Sequence, residues 1–149
     1  EAVNSIFKNE NGHIPTSIGH SSLSISYLPA LTQVDYDPLL WACDLNFVRG
    51  EDSLVRALWA GRPFIWQIYP QDDGAHHAKL EAFLDWLDAP ASLRQFHRTW
   101  NGIADTAGAR SPSTPELNAW DACARAARER LFTQDDLATQ LLGFVGKKR

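Results

Sequence analysis

Cysteine is almost absent: Cys43 and Cys123 are the only two in 149 residues, and neither sits in a metal-ligand spacing or a redox pair. Nothing here builds a disulfide scaffold, so a reducing cytosol is the default compartment. Long apolar runs are missing too. No stretch approaches membrane-spanning length and no signal-peptide pattern opens the chain, which makes a cytoplasmic protein the expectation. Basic residues are outnumbered, 14 Lys and Arg against 18 Asp and Glu, for a formal charge of −4. A broad phosphate-neutralising face needs clustered Lys and Arg, so a nucleic-acid binder of that kind is disfavoured. Lys147-Lys148-Arg149 is the one basic run, and it reads as a solvated helix end. There is no P-loop sequence and no GxSxG elbow, so P-loop hydrolysis and lipase-like chemistry lack support. Internal repeats and low-complexity tracts are lacking as well.

What remains is an ordinary globular composition, 44% hydrophobic and 21% charged, long enough for one domain over residues 1–149 with its own core. Ile6-Phe7 reads as the close of a short helix and Asn9-Glu10-Asn11-Gly12 as a turn. From Leu23 to Leu28 apolar residues alternate with serine, the pattern of a half-buried strand, and Pro29 ends it. A helix is expected from about Asp35, with Asp35 or Asp37 as N-cap and Pro38 at the first helical position. Cys43, beside Trp41, reads as a small buried hydrophobe.

The centre of the chain is more specific. Leu45 to Val48 is a short apolar strand ending at Gly50; a helix then opens on Asp52 or Ser53, with Leu54, Val55, Leu58 and Trp59 on one face. Gly61 stops it, and Phe64 to Ile68 follows as a strand apolar almost throughout, as in a parallel sheet covered on both faces. This is half of a parallel βαβ unit, whose helix start leaves backbone N–H groups free to meet a phosphate. Three strands linked by helices give an α/β, Rossmann-like parallel sheet. A long amphipathic helix, Ala75 to Leu87, comes next. It has Leu80, Phe83, Leu84 and Leu87 inward and His76, Lys79, Glu81 and Asp85 mostly outward. Pro90 starts a helix to about Trp100, and Ala104 to Thr114 is a loop. Two helices close the chain, Pro115 to Leu131 and Gln134 to Val145, the second capped by Thr133 or Asp135. Trp66, Trp86, Trp100 and Trp120 read as core or interdomain aromatics, and Arg125, Arg128 and Arg130 as a solvated helix face. His76-His77 does not make a metal site, because adjacent helical side chains point about 100° apart and no acid has ligand spacing.

At the central block the sequence takes on a family likeness. Trp41-Ala42-Cys43-Asp44-Leu45-Asn46-Phe47-Val48-Arg49-Gly50-Glu51-Asp52-Ser53 closely resembles the signature of the elongation factor P arginine rhamnosyltransferases, the EarP family. Tyr36-Asp37 with Leu39-Leu40, and Ile68-Tyr69-Pro70-Gln71 followed by His76, Lys79-Leu80 and Ala82-Phe83-Leu84, extend the resemblance across roughly residues 27 to 87. Position 1 is Glu rather than Met, and with the likeness starting after residue 20 the chain reads as the second half of a larger protein.

The resemblance implies the C-terminal nucleotide-sugar-binding domain of a two-domain, GT-B-like, inverting glycosyltransferase of the bacterial cytoplasm. Such an enzyme moves rhamnose from dTDP-β-L-rhamnose to an arginine of elongation factor P, with no metal or other cofactor expected. The family's matches to Arg49, Glu51, Asp52, Ser53 and Tyr69 contact the donor's diphosphate and sugar region, and the match to Glu51 matters for activity. The aspartates that partner the attacking arginine belong to the other domain, so this chain is expected to bind donor without completing transfer.

The residues themselves fit those roles. A departing diphosphate needs donors aimed at oxygens that gain charge, which Arg49, the Ser53 hydroxyl and the helix-start amides can supply. A carboxylate facing phosphate would repel it. Glu51 and Asp52 are therefore read as offering backbone N–H groups, Asp52 doubling as a cap at the positive end of the helix dipole. The Glu51 carboxylate is read as the catalytic group, working on a sugar hydroxyl or orienting Arg49. Tyr36 can stack on the thymine and Gln33 can read its edge. The family begins this segment with Leu-Pro-Phe, whereas Leu28-Pro29-Ala30 stands here. One wall of the base pocket is thus lost, supplied by a residue such as Tyr27, or made by backbone.

Taken alone, each feature leaves a plainer reading open. Asp52-Ser53 could be only a cap, Arg49 only a salt bridge, and Tyr69-Pro70 only packing; it is the whole block, with Arg49 and Tyr69 on one sheet edge, that points to a ligand. Two other functional classes stay open. A free-standing nucleotide-binding module would not carry an exposed apolar face, and an interaction domain without a ligand would turn Arg49 and Tyr69 away from each other.

Overall fold

Serine alternation does make a strand, but not one of a parallel layer. In the computed structural model, which describes residues 13–18, 21–104 and 110–147, β1 (His13–Ile18) and β2 (Ser21–Ser26) form an antiparallel hairpin. Its register runs from His13 opposite Ser26 to Ile18 opposite Ser21. The strand starts two residues earlier than the alternation suggests and stops before Pro29. With two residues between the strands only an antiparallel return is possible, since a parallel partner needs a crossover of about a dozen residues or more. The expected three-stranded parallel layer is therefore replaced, among the described residues, by two separate two-stranded sheets. Ile6-Phe7 and the turn at Asn9 to Gly12 lie outside the described residues.

The chain's internal contacts divide it into two units, residues 1–36 and 37–149. Between β2 and the helix α1 (Gln33–Ala42) the first unit is irregular. Helix α1 begins two residues before the expected Asp35. Thr32 is the reason. Its hydroxyl accepts the Asp35 N–H at 3.2 Å and donates to the Asp35 carboxylate at 2.6 Å. A Thr that exchanges hydrogen bonds with an acid three residues on is a stronger start signal than the proline, so Pro38 ends up inside the helix.

In the second unit, β3 (Asn46–Val48) pairs in parallel with β4 (Phe64–Trp66), in register from Asn46 opposite Phe64 to Val48 opposite Trp66. The buried Asn46 side chain ties this strand to α1 by donating to the Leu40 carbonyl at 3.0 Å. Helix α2 (Glu51–Ala60) crosses between the strands. Its buried face is Ala57, Leu58 and Ala60, while Val55 and Trp59, expected inward, are exposed. The shift goes with the neighbour: α2 lies on α5 (Thr114–Phe132), and Trp59 meets the edge of the Phe132 ring there, centroids 5.0 Å apart, while staying partly in solvent. Gly61 ends α2 in the left-handed region at φ 65°, and a Cβ there would come within 2.8 Å of Arg128 Cδ. Arg128 thus lies over Gly61 and the Phe132 ring, and Arg130 over the Trp86 ring with a bond to the Trp86 carbonyl. Of the expected solvated arginine face only Arg125 behaves as such, paired with Asp121.

Helices α3 (Ala75–Leu87) and α4 (Ala91–Trp100) form a hairpin around Asp88 and Ala89. Arg98 grips Glu81 through two bonds of 2.7 Å, which hold that carboxyl below its usual range, and Arg94 bonds the Leu84 and Ala89 carbonyls. The core is Ile65, Leu80, Leu84, Leu87, Leu93 and Trp120. Each large side chain there contributes about 1.5–3 kcal/mol by leaving water. Trp66 joins this core, but Trp86 and Trp100 stay half in solvent. Cys43 is exposed just past the end of α1, not buried as its apolar neighbours suggested. Helix α6 (Leu137–Gly146) is capped by Asp136, not Thr133 or Asp135, because the Asp136 carboxylate reaches the Thr139 N–H at 3.1 Å; none of its residues is buried. Among the described residues no helix is long and apolar enough to cross a membrane.

Candidate functional site

Beyond Val48 the chain leaves the sheet, turns at Gly50 and enters α2. Gly50 takes the N-cap position in an extended conformation (φ −69°, ψ 163°), and among the described residues no side chain caps the helix. The first helical bond runs from the Leu54 N–H to the Gly50 carbonyl at 2.9 Å. The amides of Glu51, Asp52 and Ser53 come before it and are left for a partner outside the helix. The helix therefore starts earlier than expected, which moves Asp52 out of the cap position. From the second position of the first turn its side chain cannot reach back to the cap. It runs along the helix instead and accepts from Arg56 Nε at 3.2 Å.

Arg56 also holds both oxygens of Asp37 at 2.9 and 3.0 Å. These two carboxylates raise its pKa, hydrogen bonding to Asp37 most, so the cation persists and screens the Asp52 charge. Sequence reasoning missed this residue, although the four-residue spacing from Asp52 to Arg56 was visible.

Arg49 makes no ion pair among the described residues. Its guanidinium lies over the Tyr69 ring, 4.8 Å from the centroid, and its carbonyl accepts the Trp66 indole N–H at 2.8 Å. The Tyr69 hydroxyl reaches back over the turn, 3.9 Å from where a Cβ on Gly50 would sit. Arg49 and Tyr69 are both exposed, Ser53 is half-buried, and Glu51 projects into solvent with no hydrogen bond or ion pair among the described residues. So Arg49, Glu51, Asp52, Ser53 and Tyr69 gather round one turn of the second unit. Gln33 and Tyr36 belong to the first unit, three residues apart on α1 and so on one side of it. Tyr27 and Leu28, in the same unit, are exposed.

The free edge of β4 holds what the sequence reading missed entirely. His97 is fully buried; its Nε2 accepts the Trp66 backbone N–H at 3.1 Å, and its Nδ1 lies 3.1 Å from the Leu93 carbonyl, which makes Nδ1 the protonated nitrogen. Burial pushes the imidazole down from its ordinary 6.5 to about 4. One turn on, Asn101 accepts the Ile68 N–H at 3.0 Å and donates to the Trp66 carbonyl at 2.9 Å. Two side chains thus do for β4 what a third strand would. The only sequence signal is a His and an Asn four apart on a helix, which carries no meaning until the strand edge is seen beside it. His76, read as a surface residue, has its Nδ1 occupied by the Gln71 N–H at 3.0 Å.

The family model described as elongation factor P (EF-P) rhamnosyltransferase EarP matches residues 1–146, well beyond the stretch where the likeness is plain by eye. A protein-arginine rhamnosyltransferase of Pseudomonas aeruginosa is 44% identical over 129 residues, covering 83% of this chain and 34% of that protein. Its namesake in Pseudomonas putida is 42% identical over 143 residues, covering 89% and 38%. The chain therefore spans about a third of the length of the curated relatives it matches. A solved structure reported as "Structural basis for EarP-mediated arginine glycosylation of translation elongation factor EF-P" superposes with a TM-score of 0.67 at 37% identity, over 85% of this chain and 41% of that one.

Proposed function

Because the chain belongs to the EF-P rhamnosyltransferase family EarP, we propose that it is the donor-binding part of a GT-B-like, inverting protein-arginine rhamnosyltransferase of the bacterial cytoplasm. The enzyme transfers rhamnose from dTDP-β-L-rhamnose to an arginine of elongation factor P, and the other half of the fold brings the acceptor. In this reading residues 1–149 serve one task, holding the nucleotide sugar.

The diphosphate sits against the first turn of α2. Three amides and the Ser53 hydroxyl donate to it, and the Arg49 cation supplies the charge that the departing nucleotide requires, with no metal called for. Tyr69 holds the Arg49 plane and faces the sugar with its hydroxyl. Asp52 contributes its backbone N–H while Arg56 keeps its carboxylate engaged along the helix. Gln33 and Tyr36 receive the thymine. Glu51, the acid of the turn that makes no hydrogen bond or ion pair among the described residues, is the catalytic residue: its carboxylate accepts from a sugar hydroxyl or steadies Arg49 as charge develops.

The observation that carries this reading is the guanidinium of Arg49 over the Tyr69 ring beside three helix-start amides that no group among the described residues claims. An interaction domain without a ligand has no use for that geometry. A free-standing nucleotide module is disfavoured by the apolar side chains left in solvent on the second unit, Trp41, Phe47, Trp59 and Trp100 among them. Titration with dTDP, UDP and GDP, followed by amide chemical shifts, is the test. Shifts should centre on residues 49–53 and Tyr69 and be strongest for dTDP; shifts confined to α5 and α6 would sink the assignment.

A further inference from the structure

We infer that His97 and Asn101 are positioning residues for the nucleotide-sugar site, setting from behind the strand end that carries Tyr69. The inference rests on the donor-site reading above. Its basis is a match of spacing. Residues four apart on a helix are about 6 Å apart along its axis, and residues two apart on a strand about 6.6 Å. His97 of α4 and Asn101, the residue that caps its C-terminus, therefore fall opposite Trp66 and Ile68, and between them they take the Trp66 N–H, the Trp66 carbonyl and the Ile68 N–H. Asn101 is itself held, since its amide also donates to the His97 carbonyl at 2.8 Å.

These bonds lie where the sheet gives out. Pairing of β4 with β3 ends at Val48 opposite Trp66, with one more bond from the Gln67 N–H to the Val48 carbonyl at 2.8 Å. Among the described residues Ile68 has no strand partner. Asn101 is what fixes it, and Tyr69 follows directly, confined on its other side by Pro70, which restricts the preceding residue to extended conformations. Trp66 carries the same restraint to the other half of the site, because its indole N–H holds the Arg49 carbonyl. One pair of side chains at the C-terminal end of α4 thus sets both the ring of Tyr69 and the backbone of Arg49, whose guanidinium rests on that ring.

A purely structural role would loosen the fold without touching the relation between Asn101 and the site, so a double-mutant cycle separates the two. Thymidine diphosphate is titrated into the 149-residue chain, its Asn101→Ala variant, Tyr69→Ala, and the double variant, with circular dichroism and urea midpoints recorded for each. Asn101→Ala should weaken binding about fivefold in the native background and by about twofold or less when Tyr69 is already gone, the coupling expected within one network. Equal losses in both backgrounds, or no loss in a folded variant, overturn the inference. Should Asn101→Ala fail to fold, Asn101→Ser, which keeps one hydroxyl near the Ile68 N–H, carries the same comparison. If the native chain does not bind thymidine diphosphate at all, the donor-site reading falls and this inference with it; binding with additive losses removes only the inference.

Discussion

The two sides of the β3–α2–β4 block treat backbone polar groups in opposite ways. At the back, His97 and Asn101 satisfy the edge of β4 that faces away from β3. At the front, the first turn of α2 has a glycine at its cap position, two acids that do not cap, and three amides with no partner inside the helix. The sequence spends side chains to close one side and withholds them from the other. A buried polar group left unpaired costs about 1–3 kcal/mol, whereas one at the surface can wait for water or a ligand. Closure is thus expected where the groups are buried, and openness is affordable only where they face out. The contrast predicts that damage at the back lowers stability, while damage at the front lowers binding or rate and leaves stability alone.

The largest effect should come from acid acting on the closed side. The His97 imidazole titrates at about 4 in the folded chain because burial disfavours its charged form, against an ordinary 6.5. The unfolded chain binds the proton first, so stability is full above pH 6.5 and falls as the pH drops towards 4. At 1.36 kcal/mol per unit the loss is about 3 kcal/mol across that window. The protonated ring also cannot accept the Trp66 N–H. Urea midpoints from pH 7 to 4 measure the loss, and a resonance assigned to the His97 imidazole that titrates near 6.5 in the folded protein would remove its cause.

On the open side, Arg49→Ala should cost about 1.5–3 kcal/mol of donor affinity, the value of a hydrogen bond to a charged group, with an unchanged urea midpoint. Calorimetry with dTDP reads the first and denaturation the second. If the midpoint falls as far as the affinity, Arg49 is part of the closed framework and the contrast fails.

How much of this could be read from residues alone differs between the two sides. The strand, glycine turn, helix and glycine stop from Leu45 to Gly61 were legible because each is a local signal. Even there the helix began earlier than Asp52, since a glycine cap carries no side chain to announce it. Helix α3 was legible from Ala75 to Leu87, the span it has in the structure, its apolar spacing being regular. The strand at β2 was legible but its partner was not: alternation reports which face is buried and says nothing about what lies alongside. His97 and Asn101 were invisible for the same reason, as their meaning comes from a strand some 30 residues away in the chain. Arg128 looked solvated because a helical arginine usually is, and only the bare Gly61 across from it gives its stem somewhere to lie.

Glu51→Gln in the complete enzyme should lower kcat at least tenfold, about 1.4 kcal/mol or more, while donor Kd moves much less. The reasoning is electrostatic. A carboxylate that met only phosphate in the ground state would weaken binding, so a helpful Glu51 must act as charge moves in the transition state. Single-turnover kinetics and donor titration give the two numbers. A Kd that rises in step with the loss of rate would make it a binding residue and nothing more.

The smallest effect is the most direct test of the contrast, because it compares two acidic first turns. In α5, Glu116 stands at the third helical position, accepts the Ser113 backbone N–H at 2.8 Å and its hydroxyl at 2.7 Å, and is gripped by Arg110, which holds its carboxyl down to about 2. In α2, Asp52 stands one position too early for this and reaches only Arg56. Ser113→Ala dismantles a cap and should cost about 1 kcal/mol of stability. Asp52→Ala removes an exposed pair of the i,i+4 kind and should cost about 0.5 kcal/mol or less. Urea midpoints of the two variants, measured side by side at one salt concentration, decide between the readings. If Asp52→Ala proves as damaging as Ser113→Ala, the first turn of α2 depends on its own acid after all, and its amides are not held open for a ligand.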